Sequence, residues 1–233
     1  MEFFRNFFKD LIQVLTEPVR FFRERLPSIS FAQALAFGIL VNWLAAILEW
    51  MTRIVKHETL WDSVKRVQDQ FSNLPIFKDV PETIWNQAGN AANPVSSSMA
   101  LEVGALIVSP FQALANFCIS GLVLYVGGMI FIPKETASER DPMDLSIFIR
   151  LAAISAAPTL VGAILGFLPL NLGSAIGWIY HIAILIIGIG LRFRISYLRA
   201  GGIIFLPGII LTLILGCFIG FAALVAAKLF GMA

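Results

Sequence analysis

Residues 151–191 read LAAISAAPTLVGAILGFLPLNLGSAIGWIYHIAILIIGIGL and contain no Asp, Glu, Lys or Arg. A helix crosses the hydrocarbon core of a bilayer in about 20 residues, so this stretch holds material for two crossings. The turn PLNLG at 169–173 divides them. One span is predicted at about 146–168, bent near Pro158, and the next at about 174–191. Residues 103–133 are equally free of charge and place another span within 99–132. That segment is longer than one crossing needs, and Ser109-Pro110 is expected to set a short interfacial piece apart from the crossing proper. A first span at about 31–52 and a last at about 202–230, which contains Pro207, complete five.

Composition agrees with this reading. The chain has 233 residues, 58% hydrophobic and only 14% charged, with a mean hydropathy of +0.83. Soluble domains carry about a quarter charged residues. Lipid can solvate this much apolar surface and water cannot. The expected fold is therefore an all-α polytopic membrane helix bundle of about five transmembrane helices. A net charge of +2 gives no reason to expect nucleic acid as a partner.

Ahead of the first span, Phe3, Phe4, Phe7, Phe8, Leu11, Ile12, Leu15, Val19, Phe22 and Leu26 recur at intervals that place them on one face of a helix. Residues 1–30 thus read as an amphipathic interfacial segment, broken or bent at Pro18, with Phe3, Phe4, Phe7, Phe8, Leu11 and Phe22 as membrane anchors. The same stripe could equally pack on the protein's own bundle. The segment begins with alternating aromatic and charged residues, unlike a signal peptide. Residues 31–233 form the transmembrane domain, interrupted at 53–98 by a polar, partly helical extramembrane loop. Basic residues number eleven on the N-terminal side of the predicted topology and six on the other, from the positions of Lys and Arg. The positive-inside rule then puts the N-terminus in the cytoplasm and the C-terminus outside.

Little in the chain suggests catalysis or metal binding. Its only histidines are His57 and His181, and HExxH, CxxC, Walker-type and nucleophile-elbow motifs are absent. Cys118 and Cys217 both fall in apolar segments and read as packing residues. Ser120 with His181 could form a dyad, although a serine in a membrane helix usually bonds its own backbone. No metal or cofactor is expected. The sharper signal is polarity at bilayer depth, where it is expensive. Asn42, Gln112, Asn116, Ser155 and His181 lie within spans, and Glu49 and Glu102 near the ends of theirs. Each could satisfy a neighbouring helix or line a pathway. Helix bends are expected at Pro110, Pro158 and Pro207. The pairs Gly162/Gly166, Gly173/Gly177 and Gly216/Gly220 have the spacing that lets helices approach closely, within one bundle or across a homo-oligomer seam.

Several features in order carry a family resemblance. Glu17-Pro18-Val-Arg-Phe-Phe22 precedes the first span, Ile154-Ser155-Ala-Ala-Pro158 lies in the third and Ile187-Gly188-Ile-Gly-Leu191 closes the fourth. Arg199-Ala200 and Leu206-Pro207 open the fifth. Together they resemble the Yip1-domain family over nearly the whole chain. The resemblance implies a five-span bundle with a cytoplasmic N-terminus. Eukaryotic members are associated with the early secretory pathway and Rab-type GTPases. The Asp-Leu-Tyr-Gly-Pro motif of those members is absent before the first span, which points to a bacterial-type member in the plasma membrane. The expected function is non-enzymatic, through association with the bilayer, with further copies of itself, or with a membrane or cytoplasmic protein partner. The alternative is a small transporter, channel or lipid-translocating protein built on the intramembrane polar residues.

Overall fold

The computed structural model describes residues 2–56, 99–133, 143–167 and 172–210, with backbone alone at 2–4, 99–101 and 172. The described residues are helical, and four helices are long and apolar enough to cross a membrane. The chain is an all-α integral membrane protein. The loop expected within 53–98 lies almost wholly outside the described residues, as do the fifth span beyond residue 210, Cys217 and Gly216/Gly220.

Helix α1 spans Glu2–Thr16. Pro18 then opens a run of short helical turns through Ser28, the middle one a π turn at Phe21–Arg25. Helix α2, Phe31–Val55, starts at a complete capping box: Ser30 accepts from the Gln33 N–H, and the Gln33 side chain accepts from the Ser30 N–H. Its 25 residues extend about 37 Å, enough to span the hydrocarbon core.

Helix α3 runs unbroken over Met99–Phe131, so the separate interfacial piece expected before Pro110 does not form. The reason is local. Pro110 removes the N–H that would reach the Leu106 carbonyl, and the Ser109 hydroxyl donates to that carbonyl instead, at 3.0 Å. The third span does break, into α4 (Leu145–Ser155) and α5 (Ala157–Leu165), at the turn before Pro158. Helix α6 covers Leu172–Phe193. Arg194 turns the chain with a positive φ of 53°, and α7 follows at Tyr197–Ile210.

The broken span is the pillar of the bundle. In its most apolar stretch 72% of residues are buried, against 28–33% in the other three spans. Helix α4 packs on α2, α3 and α6, and α5 on α2 and α6. Phe148 is fully buried and stacks on Phe193 with ring centres 5.0 Å apart. Small residues allow the backbones to meet. A Cβ at Gly38 would stand 2.7 Å from the Ala153 carbonyl oxygen, and one at Gly177 would stand 2.9 Å from Gly162 Cα.

The ends of the spans are tied in pairs. At the first end, Arg150 donates to the Ile29 carbonyl at 3.2 Å. At the far end, Lys56 donates to the Gly166 carbonyl and Trp50 Nε1 to Glu102, each at 2.8 Å. Helix α1 folds back on this frame, with Phe7 against Phe37 at a ring separation of 5.3 Å. The Tyr180 hydroxyl donates to the Leu15 carbonyl, and Asp10 pairs with Arg25 at 3.0 Å.

Two consequences can be measured. Gly38→Ala forces a methyl group onto the α4 backbone and lowers stability by about 1–3 kcal/mol. Gly104→Ala, where a Cβ meets nothing within 4 Å, raises it by roughly 0.5–1 kcal/mol by restricting the unfolded chain. Unfolding in mixed micelles checks both signs. Asp144 caps α4 and accepts from the Ser146 hydroxyl and N–H at 2.6 and 3.2 Å. Those bonds, the hydroxyl first, hold its pKa below the ordinary carboxylate value. The cap therefore contributes fully above that ordinary value and is lost as pH falls through the lowered one. Asp144→Ala costs about 1 kcal/mol at neutral pH, and Asp144→Asn flattens the acid limb of a stability–pH curve.

Candidate functional site

The break at Pro158 organises the centre of the bundle. Beyond it, Thr159 N–H bonds the Ala156 carbonyl at 2.9 Å and no longer serves the Ser155 carbonyl one turn back. That oxygen meets His181 Nδ1, from α6, at 2.6 Å. A carbonyl only accepts, so Nδ1 carries the proton, and in the neutral ring Nε2 is left as an acceptor. Ser155 itself is fully buried and its hydroxyl bonds the Ala152 carbonyl at 3.1 Å.

Beside this joint lies a cavity of about 860 Å³, bounded by α2 to α7. That volume is within the roughly 300–1,000 Å³ range of small-molecule sites. Its polar lining comes from several helices: Asn42 and Glu49 of α2, Asn116 and Ser120 of α3, Thr159 of α5, and Ser174 and His181 of α6. Asn42 and Glu49 are seven residues apart, two helical turns, and so share a face. Asn116 and Ser120 are four apart on α3 and do the same. The remaining wall is apolar, with Phe117, Leu124, Ile182, Leu185, Ile204 and Phe205 among its residues. Ile119, Trp178 and Ile209 line the cavity and are 62%, 63% and 54% exposed. Among the described residues the cavity is thus open at the side of the bundle, between these exposed apolar side chains.

Comparison with protein-family models, curated proteins and solved structures finds no match.

The seven residues singled out for intramembrane polarity thus sort clearly. Asn42, Glu49, Asn116 and His181 share the cavity, and Ser155 meets it through the His181 bond. Asn42 also donates to the Gly38 carbonyl at 3.0 Å, which leaves its side-chain oxygen as an acceptor. Glu102 instead accepts from Trp50 and ties α3 to α2. Gln112 is exposed on α3, outside the cavity lining. Ser120 and His181 line the same cavity, but His181 Nδ1 is committed to Ser155. Of the bend positions, Pro158 interrupts its span, Pro110 lies within a continuous helix, and Pro207 sits in α7 where a Cβ on Gly127 would approach its ring at 3.1 Å.

The expected membrane anchors divide as well. Phe7, Leu11 and Phe22 are buried on the bundle, whereas Phe8 is 54% exposed. Ile12 and Val19 are exposed beside it, so one edge of the stripe packs inward and the other is free to meet lipid. The side chains of Phe3 and Phe4 lie outside the described residues. Thr159 and Ser174 were not singled out from sequence. Small hydroxyl residues in membrane helices usually bond their own backbone, as Thr159 does with Ala156 at 2.7 Å, and spacing carries no sign of the cavity they face.

The Trp50–Glu102 bond is the tie most open to measurement. A double-mutant cycle with Trp50→Phe and Glu102→Gln gives a coupling of about 0.6–1.7 kcal/mol, the range found for polar pairs between membrane helices.

Proposed function

We propose that this chain is a non-enzymatic integral membrane protein that takes a small amphiphilic molecule from the bilayer into the cavity and carries or presents it there. One observation supports the reading above the rest: polar side chains from four helices converge on a laterally open cavity at bilayer depth. Each polar group held in hydrocarbon costs free energy unless something bonds it. Packing alone accounts for Asn42 and Thr159 in part, since each also bonds the backbone of its own segment. A ligand with a polar head and an apolar body matches a lining in which the two kinds of surface lie side by side.

A second reading draws on the N-terminal helix. The free apolar edge at Phe8, Ile12 and Val19 suits a Yip1-like protein that organises membrane by association, with lipid, with further copies of itself or with a protein partner. In both readings the first end of the bundle, which holds Arg20, Arg23, Arg25, Arg150, Arg192, Arg194 and Arg199, faces the cytoplasm of a bacterial plasma membrane. The excess of basic residues at that end supports this placement.

Reconstituted liposomes separate the two readings. Fluorescent lipid and small-ion flux is expected above that of empty vesicles, falling about tenfold in Asn116→Ala and His181→Ala, the equivalent of one lost hydrogen bond to the passing group. Flux indifferent to both substitutions removes the cavity as the pathway. If folded protein shows no flux, and a Phe8→Gln/Ile12→Gln variant loses membrane or partner association, the second reading takes over.

A further inference from the structure

At the opposite end of the bundle from Glu49 and Ser174 lies a smaller pocket of about 230 Å³, lined by Leu26, Pro27, Ile147, Arg150 and Arg192. We infer that it binds a phosphate group at the edge of the bilayer, through the guanidinium groups of Arg150 and Arg192. The two arginines reach it from different helices, Arg150 from the second turn of α4 and Arg192 from the last turn of α6. None of the five lining residues is acidic. The charge of Arg192 acts on Arg150, and an anion held between them relieves that repulsion.

Arg150 supplies the more specific evidence. Its Nη1 donates to the Ile29 carbonyl at 3.2 Å, while its Nε is buried with no hydrogen-bond partner. A guanidinium keeps its proton at any ordinary pH and presents its N–H groups in a fixed fork. It therefore cannot escape a missing acceptor by neutralising. Phosphate oxygens accept from such a fork with the right geometry and charge.

Two carboxylates among the described residues at this end have partners of their own. Asp144 caps α4 through Ser146, and Asp10 holds Arg25. Leu26, Pro27 and Ile147 make the rest of the wall apolar, which suits a phosphate carried on a lipid at the membrane surface. Basic pockets between transmembrane helices bind anionic headgroups in this way.

The test uses the full chain in neutral detergent, reading its thermal unfolding midpoint. Three probes are titrated: inorganic phosphate, short-chain phosphatidic acid, and a diacylglycerol of the same chains, which lacks the phosphate. Phosphatidic acid is expected to raise the midpoint while diacylglycerol does not, and its apparent Kd to weaken at least about tenfold in Arg192→Gln, as loss of a charge-assisted contact requires. Arg192→Lys should recover part of the effect. Stabilisation by inorganic phosphate as well identifies a soluble phosphate as sufficient; stabilisation by phosphatidic acid alone identifies a lipid headgroup. Equal stabilisation by diacylglycerol, no stabilisation by either phosphate probe, or unchanged binding in Arg192→Gln overturns the site. Arg150→Gln also cuts the tie to Ile29, so the Arg192 variants decide the matter even if that protein does not fold.

Discussion

A carbonyl that loses its donor inside hydrocarbon must find another, and the break at Pro158 makes such a carbonyl at Ser155. An unsatisfied backbone group at that depth costs several kcal/mol, enough to undo a marginally stable fold. His181 meets the need from the neighbouring helix. That bond joins α4 to α6 at the middle of the bundle and sets the tautomer of the imidazole. The ring nitrogen left over, Nε2, is an acceptor beside a cavity that His181 itself lines. One proline thus bends the central span, joins two helices and leaves a polar group available beside the cavity.

The comparison with Pro110 shows why the same residue has two outcomes. Both prolines remove a donor from a membrane-spanning segment. At Pro110 the preceding residue is a serine whose hydroxyl reaches the abandoned Leu106 carbonyl, so the helix continues. Before Pro158 stand Ala156 and Ala157, which carry no donor on their side chains, and Ser155 spends its hydroxyl on Ala152. The helix resets there: Thr159 N–H turns to the Ala156 carbonyl, and His181 of the neighbouring helix meets the Ser155 carbonyl left behind. Four of the five expected spans were legible because length and hydropathy decide them, and the Ser30–Gln33 capping box stands in the sequence for α2. Which proline would bend its helix was not legible from the proline alone, since the answer depends on donors one turn away and on a histidine 26 residues along the chain.

The candidate site was legible in the same partial way. Asn42, Asn116, Glu49 and His181 are conspicuous because polarity is rare in such segments. Spacing along one helix places Asn42 with Glu49. Nothing in periodicity places that pair opposite Asn116 and His181, because azimuth around each helix is set by packing between spans. The close approaches at Gly38 and Gly177 fix those rotations. The N-terminal stripe makes the same point. Its breadth exceeded what one contact surface needs, so Phe7 and Leu11 turn inward while Phe8 and Ile12 stay outside. Hydrophobic periodicity reports that a face is apolar and does not report which solvent, protein or lipid, covers it.

The two concavities have opposite character, and their separation follows from where charge is tolerable. Arg150 and Arg192 sit at helix ends, where a guanidinium can meet headgroups and water. They line a pocket with no acid among its described lining residues. Toward the other end, the larger cavity has Glu49 as its one ionisable acid and no Lys or Arg among its described lining residues. An amphiphile entering sideways through the mouth near Trp178 would find uncharged hydrogen-bonding groups at mid-depth and a carboxylate toward the far end. That order favours ligands whose polar group donates hydrogen bonds or carries positive charge. The two linings therefore differ in kind, with guanidinium groups at one end and mostly uncharged hydrogen-bonding groups in the larger cavity.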